Sequence, residues 1–163
     1  MNMSHLAYIS LGGNIGNTLE IFQNALLAIE KKLGKIIQKS SIYQTAAWGK
    51  EDQNDFLNQV ILIETSFDAK KLLDSLLTIE LLFERKRIER WGPRTLDLDL
   101  LSFDNQIENS ESLVLPHPRI QERKFILVPL AELNPNWVHP MLRKSVSELL
   151  DNCADQLKVK RIS

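Results

Sequence analysis

The order of apolar patterns in the first two thirds of the sequence limits the folds open to this chain. Leu6–Leu11 is rich in β-forming residues and ends at Gly12-Gly13, which predicts a strand followed by a tight turn. From Leu19, apolar residues recur every three or four positions until Gly34, and Asn17 is placed to cap the helix that this spacing predicts. The chain therefore opens with a strand and an amphipathic helix.

Two more strands, a second helix and a fourth strand are predicted next. Lys35–Gln44 and Leu57–Thr65 are typical of strands, and the polar stretch between them favours an antiparallel pair. Asp68 can cap a helix whose apolar side chains continue to Phe83. Thr95–Leu101 alternates polar and apolar residues, as a strand with one covered face does.

The resulting order, β-α-β-β-α-β, is that of the ferredoxin-like arrangement. All six prolines lie from Pro93 onward, and the last third predicts short helices around Val128–Leu133 and Ser145–Leu150. A length of 163 residues with 44% hydrophobic content suits one compact domain. We therefore expect an α+β fold, a ferredoxin-like sandwich with additional C-terminal short helices, in a single domain over residues 1–163.

Composition excludes several classes of protein. Twenty Lys plus Arg against twenty-one Asp plus Glu leave a net charge of -1, so no positive surplus exists to hold a nucleic acid. A single cysteine, Cys153, and the lack of a secretory signal predict a cytoplasmic protein. The apolar stretches fall far short of the roughly 20 residues of a membrane span, so no membrane partner is expected. The oligomeric state stays open, with a monomer as one option.

Two acidic residues on the fourth predicted strand are the first candidates for chemistry. Asp97 and Asp99 are two positions apart, so both carboxylates project from one face, while leucines occupy the other. Carboxylate oxygens are ligands that Mg²⁺ prefers, and such a pair could share two ions about 3.5–4 Å apart. The alternative is a solvated polar face, which is the commoner meaning of this pattern.

A basic segment directly precedes the two acids. It contains Arg85, Lys86, Arg87, Arg90 and Arg94, with Trp91 among them. Guanidinium groups suit phosphate oxygens, so the segment could bind a triphosphate. A solvated basic loop, partly paired with Glu84 and Glu89, explains the composition equally well.

Two further polar residues stand out by their positions. Glu80 falls on or beside the apolar stripe of its helix, so its carboxylate needs a partner, either a ligand or a nearby basic group. His117 lies between Pro116 and Pro118 on a stiff loop, where it could donate to phosphate, although a structural role is commoner. Because no Walker A loop is present, any ATP must be held in another way.

The segment Arg90–Leu101 resembles the signature of the hydroxymethyldihydropterin pyrophosphokinases. Similarity extends over nearly the whole chain through Tyr8–Asn14, Ser41–Thr45, Asp55–Asn58 and Pro116–Arg119. The resemblance implies transfer of pyrophosphate from ATP to 6-hydroxymethyl-7,8-dihydropterin in folate biosynthesis. It also implies a ferredoxin-like fold in which two Mg²⁺ ions bridge Asp97, Asp99 and the ATP phosphates.

The same resemblance assigns roles to individual side chains. The catalytic residues would be Arg85, Arg94, Asp97 and Asp99. The ATP-binding residues would be Glu80, Arg85, Arg87, Trp91, Arg94, Leu100, His117 and Arg123. The pterin-binding residues would be Phe56 and Phe125, which stack on the ring, Asn58, which binds its polar edge, and Thr45, Ala46 and Trp48, which line the pocket.

Two other functions remain open from the sequence. Ferredoxin-like sheets often bind single-stranded RNA, but no strand here is rich in aromatic residues and the net charge is not basic. A pyrophosphokinase that acts on a different small alcohol is the second alternative.

Overall fold

The computed structural model describes residues 3–46, 54–83 and 95–163. The elements in these ranges are β1 (His5–Gly13), α1 (Thr18–Lys32), β2 (Lys35–Lys39), β3 (Tyr43–Thr45), β4 (Phe56–Thr65), α2 (Ala69–Leu82), β5 (Asp97–Phe103), β6 (Glu108–Asn109), β7 (Val114–Leu115), a short 3-10 helix (Ile120–Glu122), α3 (Lys124–Leu133), α4 (Val146–Asp151) and β8 (Lys160–Arg161). The predicted fold class, α and β with an antiparallel sheet, is confirmed.

The main sheet has the strand order β5-β1-β4-β3-β8, and β2 also pairs with β4. β1 lies antiparallel to both of its neighbours, β4 and β5. β2 and β3 pair in succession with β4, so the expected antiparallel pairing of these segments is confirmed.

The prediction of one continuous strand over Lys35–Gln44 is wrong, because the strand is interrupted between β2 and β3. At the interruption the Ser40 hydroxyl accepts a hydrogen bond from the Val60 amide (3.0 Å), and the Ser40 carbonyl accepts one from Gln59 Nε2 (2.8 Å). The Ser40 amide still donates to the Val60 carbonyl (2.8 Å), and the Ser40 hydroxyl takes the place of a backbone carbonyl as the acceptor for the Val60 amide. Serine side chains often bond to the backbone in this way where secondary structure is irregular.

Each face of the sheet packs against a pair of helices. α1 and α2 pack on the first face, and the largest side chains buried there include Phe22, Ile29, Leu72, Leu76 and Ile79. α3 and α4 pack on the second face, with an apolar cluster that includes Ile126, Leu127, Leu130, Val146 and Leu149. Burying each of these side chains contributes roughly 1.5–3 kcal/mol.

Local capping rules predicted the helix starts well. The Asn17 side chain accepts a hydrogen bond from the Glu20 amide (3.2 Å), and Asp68 accepts one from the Lys71 amide (2.8 Å), so both predicted caps are confirmed. After α1, a Cβ atom on Gly34 would overlap the carbonyl oxygen of Glu64. Only glycine allows β2 to begin so close to β4.

The observed bounds of α3 and β5 differ from the predicted ones. The helix predicted for Val128–Leu133 begins earlier, at Lys124. The predicted start was too late because Pro129, within α3, interrupts the helical pattern of the sequence. The fourth strand begins at Asp97 instead of Thr95 and continues to Phe103. β6, β7 and β8 are two residues long each, too short for a periodicity to mark them.

The last turn of α3 is bonded by one carboxylate to β3 and to the residues that precede it. Glu132 accepts hydrogen bonds from the Ser41 amide (3.0 Å) and the Tyr43 hydroxyl (2.7 Å). The position of α3 is therefore coupled to that of β3. None of the helices in the described ranges has the length and apolar character needed to cross a membrane.

Candidate active site

The second face of the sheet changes character along β1. Tyr8 belongs to the apolar cluster under α3 and α4, whereas the next two residues on that face are Ser10 and Gly12. Across the strands, Ser10 is paired with Asp99, and Gly12 is paired with Asp97 on one side and with Asn58 on the other. Directly opposed residues of antiparallel strands share a face, so these polar groups lie together.

Gly12 separates the aspartate from the asparagine. Adjacent strands lie about 4.8 Å apart, so the backbones of Asp97 and Asn58 are about 10 Å apart across β1. A Cβ atom on Gly12 would come within 3.1 Å of Asn58 Oδ1. Glycine therefore keeps the space between the carboxylate and the amide open.

The predicted arrangement of Asp97 and Asp99 is confirmed. Both are half-buried in β5, while Leu98 and Leu100 on the opposite side of the strand are buried in the core against α1 and α2. Among the described residues, no group of three or more His, Cys, Asp and Glu side chains could hold a metal ion. The carboxylate oxygens of Asp97 and Asp99 are hard ligands of the kind that Mg²⁺ prefers.

Glu80 holds the backbone between the two aspartates. Its side chain is only 2% exposed, and its Oε1 accepts a hydrogen bond from the Leu98 amide at 2.6 Å. The end of α2 is thereby joined to the start of β5. The hydrogen bond to Leu98 is a structural role of Glu80. Its predicted contact with ATP stays a prediction.

His117 approaches the aspartates from a loop after β7. Its amide donates to the Leu101 carbonyl (2.8 Å), and its Nδ1 accepts a hydrogen bond from the Arg119 amide (3.1 Å). Burial lowers the pKa of His117 below its usual value; Asp99 opposes this shift, and Arg123 and Arg119 add to it. The ring is therefore neutral near pH 7, with its proton on Nε2 as a donor.

Arg123 connects the charged part of the site with the aromatic part. Burial lowers the pKa of Arg123, and the nearby carboxylate of Asp99 opposes that shift. The guanidinium remains charged, as it does throughout the physiological range. Its central carbon lies 5.8 Å from the centre of the Phe125 ring, in the first turn of α3. A cation and an aromatic ring are thus presented side by side.

The predicted pterin residues of the sheet also lie together. Phe56 and Asn58 on β4 pair with Thr45 and Tyr43 on β3, and Asn58 Nδ2 lies 3.3 Å from Thr45 Oγ1. Thr45 and Asn58 are buried, whereas Ala46, which follows β3, is exposed. The paired residues of β3 and β4 share the face that carries Gly12, because Gly12 is itself paired with Asn58.

Several predicted site residues fall elsewhere. Trp48, Arg85, Arg87, Trp91 and Arg94 lie outside the described residues. Leu100 is 4% exposed and its side chain packs in the core on the opposite face, so a contact with nucleotide would have to use its backbone.

Gly12 has a role at the site that its sequence pattern was not used to predict. The prediction of a turn starting at Gly12-Gly13 is wrong, because both residues belong to β1. A glycine inside a strand can mark a close approach of another group, and this signal was available from the sequence. The group that approaches, Asn58, is identified only by the pairing of β1 with β4.

Comparison with known proteins identifies relatives over most of the chain. A family model for 7,8-dihydro-6-hydroxymethylpterin-pyrophosphokinase (HPPK) matches residues 8–135. The chain is 42% identical over 149 residues to the 2-amino-4-hydroxy-6-hydroxymethyldihydropteridine pyrophosphokinase of Synechocystis sp., covering 90% of this chain and 75% of that protein. It is 39% identical over 155 residues to the enzyme of the same name from Haemophilus influenzae, covering 94% and 96% respectively.

Solved structures show the same fold. A crystal structure of a Plasmodium falciparum HPPK-DHPS triple mutant with STZ-DHP matches with a TM-score of 0.76 at 19% identity. The match covers 93% of this chain but only 43% of that one, so the chain spans less than half of the solved protein. The family match contains all the described residues of the candidate site, and the chain belongs to the 7,8-dihydro-6-hydroxymethylpterin-pyrophosphokinase family.

Proposed function

We propose that this protein transfers pyrophosphate from ATP to the hydroxymethyl group of 6-hydroxymethyl-7,8-dihydropterin, a step of folate biosynthesis. AMP and the pterin pyrophosphate are the products. The observation that carries the proposal is the row formed by Asp97, Gly12 and Asn58 across three strands, within the region matched by the family. It sets a candidate phosphate-binding group and a candidate pterin-binding group about 10 Å apart.

The proposal includes a ferredoxin-like fold for a single domain over residues 1–163. It is supported by the antiparallel strand order β5-β1-β4, with β2 and β3 beyond β4, and by α1 and α2 sharing one core. The cytoplasmic location stays a prediction from composition.

Asp97 and Asp99 would hold Mg²⁺, and two ions are proposed. The fit is supported by two half-exposed carboxylates on one face of β5. Bound Mg²⁺ would neutralise negative charge on the phosphate oxygens. Glu80 contributes by holding the backbone that carries both carboxylates.

His117 and Arg123 would bind the ATP phosphates beside that pair. The electrostatic influence of Asp99 on both groups supports this, because it places them near the carboxylate. The neutral imidazole donates from Nε2, and the guanidinium neutralises charge that develops as AMP leaves. From the basic segment, Arg85, Arg87, Trp91 and Arg94 are expected to add contacts with ATP.

Asn58 would bind the polar edge of the pterin while Phe56 and Phe125 stack on its ring. With Nδ2 directed to Thr45, the Asn58 Oδ1 is directed toward the space over Gly12, where it can accept a hydrogen bond. The hydroxymethyl group would then lie toward Asp97. Its oxygen would attack the β-phosphorus in line and lose its proton to solvent, while the bond from that phosphorus to the bridging oxygen breaks and AMP leaves with this oxygen. Catalysis then depends on positioning.

The test is to incubate the purified protein with ATP, Mg²⁺ and 6-hydroxymethyl-7,8-dihydropterin and to quantify AMP and pterin pyrophosphate together. Equal amounts of both products, formed only with metal and pterin, are expected. Samples with EDTA or without pterin serve as controls. Formation of ADP would mean transfer at the γ-phosphorus and would contradict the proposal.

The same assay with other acceptors, together with a measurement of RNA binding, separates the alternatives. Faster turnover with a different small alcohol would identify another acceptor. Folded protein that binds RNA in a salt-sensitive manner without turning over ATP would support a binding module.

A further inference from the structure

The first turn of α3 is held by a residue far away in the sequence. Lys124 is the first residue of α3, and Arg123 precedes it without any side-chain capping bond. The Lys124 amide instead donates a hydrogen bond to Asp155 Oδ2 at 3.1 Å, across 31 positions of sequence. The negative charge also lies at the end of the helix where the macrodipole is positive.

Asp155 is itself fixed by its own segment. Its second oxygen, Oδ1, accepts a hydrogen bond from the Leu157 amide at 3.0 Å. The side chain is half-buried, and exposed and half-buried residues alternate from Cys153 to Val159. This segment therefore lies against the protein with Asp155 on its inner side.

The same C-terminal segment continues to the other wall of the pterin site. β8 pairs with β3, with Arg161 opposite Tyr43 and Lys160 opposite Gln44. The next residue, Ile162, donates its amide to the Ile42 carbonyl at 2.9 Å. Residues 153–163 thus contact both α3, which carries Phe125, and β3, which carries Thr45.

We propose that Asp155 is a positioning residue for substrate binding, because it holds the first turn of α3 and thereby the side chains of Arg123 and Phe125. The inference rests on the proposed function. Asp155 lies beyond the family match, which ends at residue 135. Its role follows from the contact with Lys124 and from the short distance, 5.8 Å, between the Arg123 guanidinium and the Phe125 ring.

The hydrogen bond can be removed from either side. Asp155→Ala deletes the acceptor. Lys124→Pro deletes the donor, and proline is tolerated at the first position of a helix. The extended backbone of Arg123 (φ -118°, ψ 101°) also suits a residue before proline. Lys124→Ala, which keeps the amide, and Asp151→Ala, which removes an exposed carboxylate at the end of α4, are matched controls.

The experiment measures the KM for the pterin, the KM for ATP, kcat and the melting temperature of the unaltered full chain and the four variants. Asp155→Ala and Lys124→Pro are expected to raise the pterin KM by about tenfold, because misplacing a stacking side chain weakens substrate binding. The two control variants should stay within about twofold of the unaltered protein, as surface substitutions usually do. Asp155→Ala also removes the bond from the Leu157 amide. Combining Asp155→Ala with Lys124→Pro should nevertheless raise the pterin KM no further than Asp155→Ala alone, because both substitutions remove the same bond to α3.

A purely structural role for the bond would lower the melting temperature of both variants and leave their KM values unchanged, which would overturn the proposal. If Asp155→Ala does not fold, Lys124→Pro compared with Lys124→Ala decides the question, and equal pterin KM values in those two would refute the inference. Absence of turnover by the unaltered protein would instead refute the proposed function, and this inference with it.

Discussion

The two faces of the main sheet use alternate residues of the same strands for different purposes. On β1, the residues of the first face are apolar and fully buried: Ala7, Ile9 and Leu11. The residues of the second face become smaller and more polar along the strand: Tyr8, Ser10 and Gly12. The first face packs continuously against α1 and α2, whereas the second combines an apolar cluster with the candidate site.

This difference predicts that the two faces respond differently to substitution. Changes on the first face should reduce stability and leave activity nearly intact, because its side chains contact only the core. Changes among the polar groups of the second face should reduce activity and have little effect on stability. Substitutions on each face therefore test the division.

The largest effect is expected at the paired carboxylates. Asp99→Asn keeps the shape of the side chain but removes the charge that would hold Mg²⁺, so turnover should fall by about a thousandfold. The measurement is kcat with saturating ATP and Mg²⁺, together with the free energy of unfolding, which should change by less than about 1 kcal/mol. Asp74→Asn, at an exposed residue paired with Lys70, is the control and should retain full turnover. Equal turnover in both variants would refute the metal assignment.

The next largest effect is expected in the core of the first face. Leu72 on α2 is fully buried, and Leu72→Ala should lower the free energy of unfolding by about 3 kcal/mol through lost burial and the cavity left behind. Denaturant unfolding measures this loss. The pterin KM of the folded variant should be unchanged, and a large increase would mean that the two faces are not independent.

A smaller effect is expected where α3 is tied to β3. Glu132→Ala removes the acceptor for the Ser41 amide and the Tyr43 hydroxyl, which should cost about 2 kcal/mol of stability. A double-mutant cycle with Tyr43→Phe measures how much of this belongs to the Tyr43 hydrogen bond. Additive effects of the two substitutions would show that this bond contributes nothing.

A pH dependence of stability is expected at the same contact. Burial, with the hydrogen bond to Glu132 and its negative charge, raises the pKa of Tyr43 from 10.0 to about 12. Between these values the unfolded chain loses the phenolic proton while the folded chain keeps it. Stability should therefore fall as the pH rises from 10 to 12, and Tyr43→Phe should reduce that slope. Urea unfolding across this pH range is the measurement, and identical slopes would contradict the assignment.

The features that the sequence predicted correctly depend on neighbours in the chain. Asn17 and Asp68 cap helices that begin immediately after them. The common face of Asp97 and Asp99 follows from the two-residue period of a strand. Helix caps and the alternation of a strand depend on residues only a few positions apart, so the local sequence is sufficient to predict them.

Some of the features that were missed or mistaken depend on contacts between distant segments. The break between β2 and β3 involves a hydrogen bond between Ser40 and Val60. The first turn of α3 is held by a hydrogen bond between Lys124 and Asp155. No sequence pattern near these residues predicts either hydrogen bond. Side-chain hydrogen bonds between residues so far apart in sequence form only once packing has brought the two segments together.

The fold class, most of the helices and strands, and the chemical types of the site residues could be predicted from the amino-acid sequence. Periodicity, capping residues and the resemblance of Arg90–Leu101 to a known signature were sufficient for that. Which of these groups meet is visible only in three dimensions. Gly12 lies between Asp97 and Asn58, and His117 and Arg123 lie near Asp99. The reason is that strand register and loop placement are set by burial of apolar surface over the whole domain, which no short segment encodes.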